Sequence, residues 1–257
     1  MVKDEKCYMC EKDATSREHV PPKCLFPESS EFHDNDYRKN IITVPSCDEH
    51  NSKKSKDDEF LLLNIPRISG NNTVGFIIGS TKVSRAFDRS PHLEDAVFKN
   101  KKTIEIPVKS ESIKITYGNP DHLRLIKCFE RIFFGLYRHH YGENFSGQIK
   151  VFFDCFVYED TSLQNYKKLI RVKIAEDLEG KEVFGENPDV FTYQFTDPDV
   201  YGIIACKATF YQNTVIYGAY RKEEQNDLLS ILIRDKVCDV YVKNGDTDIL
   251  ISKAKGK

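Results

Sequence analysis

A chain of 257 residues that is 40% hydrophobic can build a packed core, and it is longer than one domain of roughly 100–150 residues requires. No apolar run approaches the ~20 residues of a membrane span, and the longest, Val151–Tyr158, is interrupted by Asp154. The net charge of −2 excludes a protein that grips polyanions by its overall field, so any hold on phosphate must come from local patches or a bound metal.

The charged opening Met-Val-Lys-Asp-Glu-Lys lacks the apolar stretch of a signal peptide, which gives the expectation of a cytoplasmic protein with no membrane association. In that compartment eight cysteines argue for metal ligation over a disulfide framework. Five of them (Cys24, Cys128, Cys155, Cys206 and Cys238) are scattered singles and read as core or surface thiols.

In chain order, Arg17–Val20 reads as a short extended stretch before Pro21-Pro22, and Glu28–Asn40 as a polar loop. Ile41–Val44 is a β-branched run ended by Pro45, hence a second short strand. Asp48–Leu63 reads as a helix with acids early and Phe60, Leu61 and Leu63 near its end. Asn72–Asp88 and His92–Phe98 read as helices around Ser90-Pro91, although Thr73–Ser80 also suits a strand. Thr103–Val108 and Ile113–Tyr117 alternate apolar and polar residues, as a hairpin does. Asp121–Tyr141 is the clearest helix, with Ile126, Phe129, Phe133, Leu136 and Tyr137 at helical spacing. Strand runs follow at Val151–Tyr158, Val190–Phe195, Tyr201–Tyr211, Thr214–Tyr220, Cys238–Val242 and Asp248–Ile251, with turns at Gln212-Asn213 and Asn244-Gly245.

Two cysteine-bearing knuckles carry the clearest chemistry. Cys7 and Cys10 form a CxxC pair, and Cys47 with His50 forms a CxxH pair, 36 residues lying between the two. Three sulfurs and one imidazole are the ligand set of a closed tetrahedral zinc site, which has no place for a reacting water and therefore reads as structural.

Between and just after the knuckles lie Glu18-His19, Asn40 and Asn51. The run Cys7-Tyr-Met-Cys10, Glu18-His19-Val-Pro-Pro-Lys, and Asn40-Ile-Ile-Thr-Val-Pro-Ser-Cys47-Asp-Glu-His50-Asn51 resembles the HNH, or ββα-metal, endonuclease family over Cys7 to Glu59, about a quarter of the chain. The resemblance implies two short strands and a helix around one catalytic metal, with His19 as general base and Glu18 as acidic metal ligand. It implies that Asn40 ties the loop between the strands and helps orient His19, and that Asn51 binds the metal. An aspartate is more usual at the Glu18 position, and a second knuckle ending in His50 departs from the commonest pattern.

The chemistry is compatible with those roles. Phosphodiester hydrolysis needs a base for water and positive charge on the phosphate oxygens. A site of one carboxylate and one amide oxygen suits Mg2+ or Mn2+. Asp58, seven residues after Asn51, suits either the metal shell or ordinary solvation. Lys23, Lys53 and Lys54 are candidate phosphate contacts, as are Arg124, Lys127 and Arg131 on the long helix, where Arg138 extends the line. A solvated helix face explains the same spacing.

The expected fold class is α+β: a small N-terminal zinc-stapled ββα-metal module over residues 1–66, a helical and hairpin connector over 67–118, and a larger α+β domain with a mostly antiparallel sheet over 119–257. The expected activity is metal-dependent cleavage of DNA, RNA being the less favoured substrate, and the resemblance implies a restriction or phage-defence effector as its context by analogy. The C-terminal domain would serve target choice, oligomerisation (a homo-oligomer) or regulation. Two rival readings are a zinc-stapled nucleic-acid binder that does not cut, and a ligand sensor whose C-terminal domain switches the nuclease.

Overall fold

The computed structural model describes residues 5–32, 35–51, 54–90, 92–108, 111–156, 161–222, 239–244 and 247–253. Helices and antiparallel sheets are both present, as an α+β chain requires. Two compact units divide it. The first holds Met1–Phe145 with Glu186–Phe191 and Phe210–Thr214, and the second holds Ser146–Gly185, Thr192–Thr209 and Val215–Lys257. The long helix is therefore grouped with the N-terminal knuckles, whereas the sequence drew segment ends at residues 66 and 118.

In the first unit, β1 (Ser16–His19) pairs antiparallel with β2 (Thr43–Ser46), Glu18 facing Val44 and His19 facing Thr43. The expected helix over Asp48–Leu63 is two helices, α1 (Asp48–Asn51) and α2 (Ser55–Asn64). Next come α3 (Thr73–Ile78), a π turn over Gly79–Val83, and α4 (Ser84–Arg89). Asn72 caps α3 by accepting a hydrogen bond from Gly75 N at 3.1 Å, which satisfies an end donor and starts a helix where a strand was the alternative. Then follow α5 (His92–Val97), the hairpin β3 (Phe98–Val108) and β4 (Glu111–Pro120), and α6 (His122–Tyr141).

Helix α6 forms as its spacing dictates. Asp121 caps its start by accepting from Arg124 N, and Gly142 ends it in the left-handed region at φ 76°, where a side chain is disfavoured. Leu125, Phe129, Ile132, Phe133 and Leu136 form its buried stripe, each contributing about 1.5–3 kcal/mol by burial. Phe129 meets Phe210 edge-on at 5.8 Å, and Phe191 lies 4.9 Å from Phe210.

In the second unit, β5 (Gln148–Phe153), β6 (Phe184–Asn187), β7 (Phe191–Phe195), β8 (Ile204–Phe210) and β9 (Thr214–Arg221) form one sheet in the order β5-β9-β8-β7-β6. Its end residues fall in the segments grouped with the first unit. Helix α7 (Thr161–Asp177) was not anticipated. Its Ile174, with Leu178 just beyond it, packs with Ala205 and Tyr217, and Ile170, Phe152 and Val215 lie against them. The signal was there in Ile170, Ile174 and Leu178 at four-residue steps, diluted by Arg171, Lys173, Glu176 and Asp177 between them. A hairpin of β10 (Val240–Asn244) and β11 (Thr247–Ser252) completes the unit. The turn expected at Asn244-Gly245 runs outside the described residues, as does Cys238.

The turn expected at Gln212-Asn213 sits one residue earlier. Tyr211 and Gln212 carry φ of 49° and 60°, and Asn213 N donates to Phe210 O at 3.2 Å, so these two are the central pair. A tyrosine is unusual at positive φ. It is held there because Tyr211 Oη donates to Leu25 O at 2.7 Å and Tyr211 O accepts from Asn72 N at 3.0 Å.

Candidate metal centre and the His19 site

The first knuckle is a tight reversal: Lys6 bridges to Asp13, Cys7 N donates to Lys12 O at 2.9 Å, and Cys10 N donates to Cys7 O at 3.3 Å. Tyr8 N then donates to Pro45 O at 2.9 Å, tying the knuckle to β2. The second knuckle uses the start of α1. Cys47 O accepts from both His50 N and Asn51 N at 3.0 Å, which turns the His50 ring back over the Cys47 thiol.

These local folds bring Cys7, Cys10, Cys47 and His50 together, their ligand atoms all within 4.8 Å of one another. Cys10 Sγ lies 3.8 Å from Cys47 Sγ, and His50 Nδ1 lies 3.4, 3.6 and 3.3 Å from the sulfurs of Cys7, Cys10 and Cys47. A tetrahedral ion with bonds of about 2.3 Å to sulfur and 2.0–2.1 Å to nitrogen would set S···S edges of about 3.8 Å and S···N edges of about 3.5 Å. The donor set and its spacing therefore fit a metal ion such as zinc.

His19 closes β1, between the two knuckles in sequence, and is half-buried. Burial holds its imidazole below its usual range, and the cations of Lys23, Lys54 and Arg38 push it the same way, while Asp58 opposes them. Lys23 follows on a short 3-10 turn, Lys23–Leu25, and is exposed. Arg38 comes from the loop before β2, where it donates to Phe26 O at 3.2 Å and pairs with Glu28 at 3.1 Å. The sequence reading did not single out Arg38. Its one signal was the basic pair Arg38-Lys39 at the end of an otherwise acidic and polar loop.

Other candidates fall in different surroundings. Glu18 is buried, only 4% exposed, and its carboxylate is ion-paired with Lys54. Lys54, read from the sequence as a surface lysine for phosphate, is itself 3% exposed and also lies 3.4 Å from Asp58 Oδ1. Lys53 is outside the described residues. Asn51 Nδ2 donates to Ser16 Oγ at 2.7 Å, which binds α1 to β1. Asn40 is exposed and takes φ of 54°, a left-handed turn conformation that asparagine tolerates better than most residues. Its role in the loop is thus conformational, and no hydrogen bond joins it to His19 among those described.

The expected basic ridge on α6 is committed elsewhere. Arg124 Nε donates to Asp57 Oδ1 at 2.9 Å, and Arg131 Nη1 donates to Asp57 Oδ2 at 2.6 Å. Arg124 also donates to Lys56 O at 2.7 Å and stacks over the Phe60 ring at 4.4 Å. One carboxylate thus holds two guanidinium groups and clasps α2 to α6. Lys127 is exposed.

The divalent cation expected between Glu18 and Asn51 does not fit these two side chains. The Glu18 carboxylate is sealed and already neutralised by an ammonium, and the Asn51 amide is engaged with Ser16. No helix among the described residues is long and apolar enough to cross a membrane.

Comparison with protein-family models, with characterised proteins and with solved structures finds no match to this chain.

Proposed function

We propose that the chain is a nuclease of the HNH type, acting on phosphodiester bonds in DNA, with a zinc ion as the staple of its catalytic module. The observation that carries this reading is His19: a half-buried imidazole at the end of a two-stranded hairpin that is followed by helices, with Lys23, Arg38 and Lys54 close enough to favour its neutral form. A neutral histidine can take a proton from water. The hydroxide formed attacks phosphorus, and the bond to the leaving oxygen breaks. Lys23 and Arg38 beside the base supply positive charge for the phosphate oxygens as negative charge builds there.

Zinc on Cys7, Cys10, Cys47 and His50 has a full set of four protein ligands, which suits a staple and leaves no position for a reacting water. Its binding would hold the first knuckle against β2 and α1, and so fix the hairpin that ends in His19. The four cysteines Cys24, Cys128, Cys155 and Cys206 are not grouped with it.

The test is to incubate the full chain with plasmid DNA and, separately, with RNA, with and without magnesium or manganese, beside the variant His19→Ala. Nicking or linearisation by the parent and its loss in the variant would support the reading. Binding without any cleavage would instead identify a zinc-stapled nucleic-acid binder.

A further inference from the structure

Glu18, Lys54 and Asp58 form one cluster of ionisable side chains at the residue before His19. Glu18 and Lys54 have side chains 5% and 4% exposed, and the Lys54 ammonium contacts Glu18 Oε1. Asp58 Oδ1 lies 3.4 Å from the same ammonium and has no hydrogen-bond donor among the described residues. One lysine from the approach to α2 therefore spans two carboxylates, one on β1 and one a turn further along its own helix. Tyr8 adds a buried hydroxyl, also without a hydrogen-bond partner there.

We propose that Glu18 is the internal counter-ion of Lys54 and not a ligand of a divalent cation, and that this pair is a positioning device that fixes the end of β1 carrying His19. The physical reason is competition. A divalent ion on the Glu18 carboxylate would displace the ammonium or sit within a few ångströms of it, and like charges at that separation repel strongly where water is excluded. Displaced, Lys54 would keep only the longer contact to Asp58 in a site too dry to solvate it. Breaking such a pair by removing one partner is costly, while removing both charges together often is not. The pair joins β1 to the start of α2 across 36 positions of sequence. It does so at the residue next to His19, so it bears on where the imidazole points. This inference rests on the nuclease reading only for the part His19 plays.

A double-mutant cycle on the full chain tests it. Glu18→Gln and Lys54→Met alone should each lower the melting temperature by roughly 6–15 °C. The combined Glu18→Gln/Lys54→Met variant should recover most of that loss, and Lys54→Arg, which keeps the charge, should stay closer to the parent than Lys54→Met. Mn2+ binding, measured by calorimetry, should be the same within twofold in the parent and in Glu18→Gln, or absent from both. Additive melting losses overturn the proposal, as does a tenfold or greater loss of Mn2+ affinity in Glu18→Gln. Should the single variants fail to fold, the combined variant carries both measurements: folding and parental Mn2+ behaviour support the proposal, and failure to fold or lost Mn2+ binding overturns it. Neither measurement reads cleavage, so a failed nuclease assay and a failed ion-pair proposal remain distinct results.

Discussion

Gly135 of α6 lies directly against Val20, the residue after His19: a Cβ built at position 135 stands 2.6 Å from Val20 Cγ2 and 3.0 Å from its Cγ1. The helix can approach the hairpin that carries His19 this closely only because residue 135 has no side chain. Val20 is 1% exposed and stiff at χ1, so it has little room to yield. Gly135→Ala should therefore destabilise the first unit by about 1–3 kcal/mol as an overpacked core does, despite alanine's better helix propensity. Urea melts followed by circular dichroism read this directly. A variant as stable as the parent would mean that Val20 moves aside freely.

Metal content is the most direct measurement. Purified protein should hold about one zinc per chain, and Cys7→Ser or Cys47→Ser should release it and unfold the first knuckle, because folding and metal binding are one equilibrium in such small modules. Elemental analysis beside thermal melts checks both halves. Well-folded protein without tightly held zinc would remove the staple from this account.

His19 should matter to chemistry and little to the fold. His19→Ala is expected to lower the cleavage rate by ~10²–10⁴-fold while the melting temperature stays near the parent's. Near-normal cutting by that variant would require a different base.

Cleavage should also report the protonation state of His19. Its pKa is held below the usual 6.5 by burial and by Lys23, Lys54 and Arg38, so the active neutral form persists to lower pH than an exposed histidine would allow. Activity should be level at pH 7–8 and fall only as pH drops below about 6.5. The sign for stability agrees. The native state resists protonation of His19, so the unfolded chain binds the extra proton below pH 6.5 and folding stability falls as the medium becomes acidic. A rate profile with its midpoint above 6.5 would contradict this environment.

The clasp between α2 and α6 makes a separate prediction. Asp57→Ala should cost about 1–2 kcal/mol, since two partly exposed guanidinium groups lose one shared carboxylate. Reversing Arg124 and Arg131 to Glu should lower stability as well as any DNA affinity, because both face Asp57. The informative variant for phosphate contact is Lys127→Glu, whose residue is exposed. If it weakens DNA binding and flattens its salt dependence with the melt unchanged, α6 contacts nucleic acid; unchanged binding would exclude Lys127 as a contact.

Sequence alone determined what local chemistry can determine. The knuckle spacings named the four metal-competent residues, because CxxC and CxxH turns place their ligands by short-range geometry. Apolar spacing placed α6 to within one residue, since an amphipathic stripe is a local signal. Tertiary structure decided what depends on residues distant in the chain. Lys54 reads from sequence as one of several helix lysines, and only the approach of β1 buries it against Glu18 and turns a candidate phosphate contact into an internal ion pair. Arg124 and Arg131 line up on a helix face in either case, but Asp57, from α2, decides that they clasp two helices. A charged side chain carries no mark of its partner. Whether it meets water, a phosphate or a buried carboxylate is settled by the elements packed around it, because desolvation and pairing energies depend on neighbours in space and not on position along the chain.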